Sequence, residues 1–156
     1  MNETELFFST IQSGHVPNLK AQIERNPNLV NMNDARGFTP LIFAAYFNKE
    51  AIVKILIENN AEIDAKDASG NTALAGVSFK GDTAIAELLI EKGANMNAQN
   101  SKGMTPLIYA TMYNQEQIIK LLLNNNADKT IKDTDGKTAY DYAVEKGFEN
   151  LKTVLK

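Results

Sequence analysis

A chain of 156 residues that is 44% hydrophobic and 22% charged can bury a core and is too apolar for a disordered segment. Its net charge of −3, with sixteen Lys and Arg scattered singly apart from adjacent helix positions, argues against nucleic acid, because binding phosphates requires clustered cations. There is no cysteine, so disulfides, thiolate catalysis and Cys-based zinc sites are excluded, while compartment is left open.

The chain begins MNETELFFST, with acids where a signal peptide carries Lys or Arg and no apolar run of seven. No stretch approaches 18 apolar residues, so nothing is expected to span a membrane. The expectation is a cytoplasmic protein, complete between Met1 and its terminal caps. Asn2-Glu3-Thr4 spells a glycosylation sequon without a secretory context. His15, the single histidine, lies in SGHVP at a break between two helices, with no nucleophile motif beside it. Its expected role is structural.

From residue 34 onward a period of 33 residues takes over. Gly37, Gly70, Gly103 and Gly136 keep that step, as do Thr39, Thr72, Thr105 and Thr138. So do Ala61, Ala94 and Ala127, then Leu56, Leu89, Leu122 and Leu155, then Ile52, Ile85, Ile118 and Leu151. Such self-similarity signals a repeat array. Each Gly follows Asp34, Asp67, Asn100 or Asp133 by three residues, which marks a tight turn needing positive φ or close approach. The Thr two residues later can cap a helix, and Pro40 and Pro106 suit its first position. That helix is short; in the second unit it holds Leu41, Ala44 and Ala45, small enough to admit a neighbouring helix. Asn48, Gly81, Asn114 and Gly147 then break the chain. A second helix carries Ile52, Ile55 and Leu56 on one face and ends at Asn60, Gly93 or Asn126. The unit is turn, helix, helix, loop.

The pattern D-x-x-G-x-T-P-L-x-x-A-A, an Asn or Gly break, then I-V-x-x-L-L-x-x-G-A-x-x-N-A, resembles the ankyrin repeat over essentially the whole chain. The resemblance implies an all-α solenoid of stacked helix-turn-helix units joined by β-turn loops, one repeat domain over 1–156. Its units are 1–33 as an N-terminal cap, 34–66, 67–99, 100–132, and 133–156 as a C-terminal cap. Unit 1–33 keeps only the later columns (Leu19, Ile23, Val30, Asn31), with one extra residue after Gly14. Irregular outer units suit caps, each lacking one neighbour. Two departures stand out. Where ankyrin repeats usually write His after TPL, this chain has Ile42, Ala75, Ile108 and Asp141, so the turns need another hydrogen-bonding partner. Gly76 stands where other units have Phe43, Tyr109 and Tyr142; it costs the helix about 1 kcal/mol relative to Ala and implies either drift tolerated by the stack, with a shallow gap or a compensating neighbour, or a ligand-lined notch.

Catalytic constellations are not found. Residues 135–138 (DGKT) end like a phosphate loop, but the first Gly it requires falls on Ile131. Read as a calcium loop, DTDG puts Ile131 at position one and Tyr142 at position twelve, neither a fit ligand. Asp34, Asp67 and Asp133 recur with the period, which makes them turn formers and not an acid–base pair. No metal, cofactor or catalytic residue is expected.

What remains is surface. The family resemblance places partner contacts beside the turn Gly and at the end of the first helix: here Arg36, Phe38, Tyr46, Phe47, Phe79, Lys80, Met104, Met112 and Tyr113. Tyr46, Phe47, Phe79, Met112 and Tyr113 are read as one apolar stripe, extended by Phe38 and Met104. Aromatic and Met side chains suit an interface core. The expectation is a monomer that binds an unidentified protein partner through its concave face and turn tips. A regulatory or inhibitory subunit of a specific enzyme or toxin is the alternative. An enzyme instead needs a convergent polar pocket with a perturbed carboxylate near Gly76, and a structural spacer needs the stripe buried between repeats.

Overall fold

Five helix pairs carry the chain in the computed structural model, which describes residues 1–156. They are α1 (Glu3–Ser13) with α2 (Val16–Arg25), α3 (Pro40–Tyr46) with α4 (Glu50–Glu58), and α5 (Ala73–Lys80) with α6 (Thr83–Glu91). The pairs α7 (Pro106–Met112) with α8 (Glu116–Asn124) and α9 (Ala139–Lys146) with α10 (Glu149–Leu155) complete the set, and there is no strand.

The Thr column starts four of the first helices. Thr39 Oγ1 accepts from Ile42 N at 3.0 Å, and Thr72, Thr105 and Thr138 accept from the third residue onward at 3.2 Å. Each cap stabilises by about 1 kcal/mol over alanine. Pro40 and Pro106 occupy the first helical position, where a missing N–H breaks no bond. The break between helices is a left-handed residue. Asn48 (φ 57°) and Asn114 (φ 52°) take it without glycine, as a short amide side chain allows.

The turn glycines meet a harder constraint. A Cβ on Gly103 would lie 2.9 Å from the backbone N of Thr134, because successive turns touch: Thr134 N donates to Lys102 O at 3.0 Å. Gly70 is held likewise under Ser101. Both positive φ and close approach are therefore in force.

Stacking buries the periodic apolar columns. Leu41, Leu74 and Leu107 of the first helices, with Ile52, Leu56, Ile85, Leu89, Ile118 and Leu122 of the second, are all at most 1% exposed. The buried face of α4 differs by one position from the reading above. Val53 is fully buried, and Ile55 is only half-buried against the core. First helices pack on first helices more closely than second on second, helped by the small column Ala44, Val77, Ala110 and Ala143. The stack therefore curves, with the first helices on its inner side.

The loops are sewn together as well. Asn31 Oδ1 accepts from Glu62 N (2.8 Å), Asp64 Oδ1 from Asn95 N (2.8 Å), and Asn97 Oδ1 from Asp128 N (2.9 Å). Each bond links a loop to its equivalent in the next unit. The first pair departs from the pattern in one unforeseen way. A 3-10 helix, Pro27–Asn31, follows α2 and buries Leu29 and Val30. His15 caps α2, its Nδ1 accepting from Asn18 N at 3.2 Å, and Asn2 of the sequon caps α1 in a reciprocal pair with Glu5.

Candidate functional site: an aromatic groove on the inner face

The absent family histidine is replaced from within the turns. Asp34, Asp67, Asn100 and Asp133 each accept two backbone N–H bonds on Oδ1, two and four residues ahead, at 2.9–3.0 Å. Asp141, in the histidine column itself, closes a capping box with Thr138.

The other side-chain atom of each turn residue faces the column nine residues later, and here the units diverge. Buried Asp133 accepts from the buried Tyr142 hydroxyl. Burial works against the Asp133 carboxylate, yet the phenol, the amides of Lys137 and Asp135, and the Lys137 charge together hold its pKa below the usual value. Burial, reinforced by the Asp133 charge, pushes Tyr142 far above a normal phenol. In the fourth unit Asn100 Nδ2 donates to Tyr109 Oη (2.8 Å) and to Asn71 Oδ1 (3.0 Å). In the second, where the column holds Phe43, Arg36 takes over. Its Nε and Nη2 donate to Asp34 Oδ2 at 3.3 and 3.0 Å, with Cζ 5.0 Å from the Phe38 ring centre and 5.9 Å from that of Phe43. The third unit has Gly76 there, and Asp67 Oδ2 has no hydrogen-bond or ion-pair partner in the protein.

The gap left by Gly76 opens into a groove of about 530 Å³ between the second and fourth units. Beyond its chain neighbours and its own helix backbone, no atom lies within 4 Å of where a Gly76 Cβ would be. The groove is mainly aromatic, and its rings brace one another edge to face: Tyr46 on Phe47 (5.2 Å) and Phe79 on Tyr113 (4.5 Å). Phe43 meets Phe47 at 4.7 Å. Asp67 is its single carboxylate and Arg36 its single cation, so it offers recognition by shape and charge and no acid–base pair of carboxylates. No three His, Asp or Glu side chains gather anywhere in a metal-binding group.

The singled-out residues divide. Arg36, Phe38, Tyr46, Phe47, Phe79 and Tyr113 line the groove together. Lys80 stands at its edge, Nζ 4.1 Å from the Tyr46 ring centre and donating to Tyr46 O. Met104 corrects the expected stripe: it is only 8% exposed and belongs to the core. Its backbone makes the same two bonds to the turn residue as Phe38 does in the second unit, but its side chain packs into the core, next to buried Thr105 in the chain. Met112 is half-buried against the core and lies outside the groove lining. Sequence reading missed Asp67 as a groove residue. The signal was available in the Tyr that twice follows a polar turn residue at nine positions, and in its loss at Gly76.

Tandem helix pairs with shared turns and a curved inner face define a repeat protein of the stacking kind. The chain belongs to the ankyrin repeat family, whose model (ankyrin repeats, three copies) matches residues 6–100 and 75–156. Ankyrin repeats generally mediate protein–protein interaction, and the family is typically non-catalytic. Among curated proteins the chain is similar to the human "DNA-binding protein RFXANK", 43% identical over 49 residues. That stretch covers 31% of this chain and 19% of the human protein. No helix is long and apolar enough to cross a membrane.

Proposed function

We propose that this protein is a non-catalytic binding module that engages a partner protein along its inner face, centred on the aromatic groove. One observation carries the reading. Tyr46 (52% exposed), Phe47 (36%), Phe79 (40%) and Tyr113 (50%) form one exposed aromatic cluster, and the other exposed large apolar side chains, such as Leu6, Met32 and Val144, lie outside the groove. Water meets four rings here at considerable cost, and covering them is worth roughly 25 cal/mol for each Å² of apolar surface removed. Aromatic anchors in a shaped recess are the usual centre of binding energy.

A protein is a better occupant than DNA, whatever the name of the human relative says of that protein. The net charge is −3, and the cations nearest the groove are already engaged at Asp34 and Tyr46, so no free basic stripe is left for phosphates.

The test is a paired substitution, Tyr46→Glu with Tyr113→Glu. Both side chains are half exposed, so the variant keeps its helical circular dichroism. Affinity capture from the native host, quantified against wild type, loses its stoichiometric partner. A partner retained at full yield by the double variant moves the interface off this face.

A further inference from the structure

Granted that the inner face binds a protein, we propose that the notch over Gly76 receives an arginine side chain of that partner, its guanidinium paired with Asp67 among the groove's aromatic rings. The argument rests on the four equivalent turns. Three of them satisfy the second atom of their Asp or Asn from inside the chain: Arg36 for Asp34, Tyr109 for Asn100, Tyr142 for Asp133. At the third, both internal suppliers are missing. Ser69 stands in the register of Arg36, and Gly76 in that of Phe43, Tyr109 and Tyr142. Asp67 Oδ2 is thus unpaired, and the space its partner would fill is empty.

Charge selects the class of occupant. The nearby cations are committed elsewhere: Arg36 to Asp34, Lys80 to Tyr46, and Lys66 to Gln99 O at 2.9 Å. The Asp67 carboxylate is therefore uncompensated in a mostly apolar recess, which favours a cation over a neutral phenol. Arginine suits the recess better than lysine, because its flat fork pairs with a carboxylate while its face stacks on aromatic rings. The second unit already displays that arrangement within the chain, with Arg36 on Asp34 over Phe38 and Phe43. The partner would repeat it in trans, one unit along.

The probe is N-acetyl-arginine methylamide, titrated into the intact ¹⁵N-labelled protein and followed by amide shifts. Asp67→Asn is a safe variant, since Asn100 makes the same two turn bonds in the next unit. Gly76→Tyr is the second variant, filling the notch with the side chain found at Tyr109 and Tyr142. The expected result is a saturable shift at Gly76, Asn71 and Asp67, with affinity on the order of millimolar. The affinity falls about tenfold in Asp67→Asn, the value of one lost charge-assisted bond. Binding is abolished in Gly76→Tyr, and the neutral citrulline analogue gives no saturable shift. An equal response to citrulline, an unchanged affinity in Asp67→Asn, or no local shift at all overturns the proposal. The binding reading has its own readout in the Tyr46 and Tyr113 capture experiment. A partner lost there but indifferent to Asp67→Asn leaves that reading standing and removes the arginine. A partner indifferent to the tyrosines removes the reading itself.

Discussion

Asp67 and Asp133 hold the same place in two turns of the repeat and accept the same two backbone amides on Oδ1. Beyond those bonds their surroundings differ. Asp133 is buried and shares its second oxygen with Tyr142; Asp67 is half-buried, and its second oxygen opens on the groove. The turn itself asks only for the two amide bonds, so the second atom is free to vary between units without changing the fold. In the fifth unit it is spent on stability. In the third it is left for something outside the chain. A repeat protein can thus carry a site by omitting a side chain from one copy of a motif whose other copies keep it.

The largest effect that separates the two turns is truncation of the carboxylate. Asp133→Ala removes both amide bonds and leaves the buried Tyr142 hydroxyl without a partner, so a loss of about 2–4 kcal/mol is expected. Asp67→Ala removes two amide bonds at a half-exposed turn and strands no hydroxyl; about 1–2 kcal/mol is expected. Urea unfolding of both variants gives the comparison directly. Equal losses would mean that Tyr142 adds nothing to its turn.

Most of the fold was legible because its determinants are local and recur. Thr39, Thr72, Thr105 and Thr138 cap helices by chemistry that any copy shows, and Asn60, Gly93 and Asn126 take positive φ where the helices end. The groove was legible only in part. Tyr46, Phe47, Phe79 and Tyr113 follow from their place at the end of the first helix. Met104 does not, because whether a residue beside the turn Gly faces water depends on how its side chain packs: Met104 joins the core, whereas Phe38 in the same register lines the groove. Nor does Asp67: its importance comes from a partner absent nine residues away, and turn chemistry alone accounts for its presence. The 3-10 helix Pro27–Asn31 has no counterpart in the other units, so no period could announce it.

The comparison sharpens when the third unit is made to resemble the fifth. Gly76 is helical, has an ordinary φ, and has open space where a Cβ would go. Gly76→Ala should therefore stabilise by about 0.5–1 kcal/mol through helix propensity alone. Gly76→Tyr gives up some of that propensity but brings a hydroxyl to Asp67 Oδ2, so a total gain of about 1 kcal/mol or slightly more is expected. Comparison with Gly76→Phe, which lacks only the hydroxyl, isolates the bond from the propensity. A Tyr variant no more stable than wild type would show that the notch cannot be closed from inside.

The smallest effect is a pH dependence, and its sign follows from the direction of the Asp133 shift. A carboxylate held below its ordinary value when folded binds a proton more readily when unfolded. Its contribution to stability is complete above the unfolded pKa of about 3.9 and is lost as pH falls through the lower folded value. Asp133→Asn keeps the turn, as Asn100 does, and can still meet the Tyr142 hydroxyl through Nδ2, as Asn100 meets Tyr109. It has no proton to gain, however. Wild type is therefore expected to exceed Asp133→Asn in melting temperature at pH 6, with the difference shrinking below about pH 4. A difference that stays constant from pH 6 to below pH 4 would show that the Asp133 carboxylate carries none of the pH dependence.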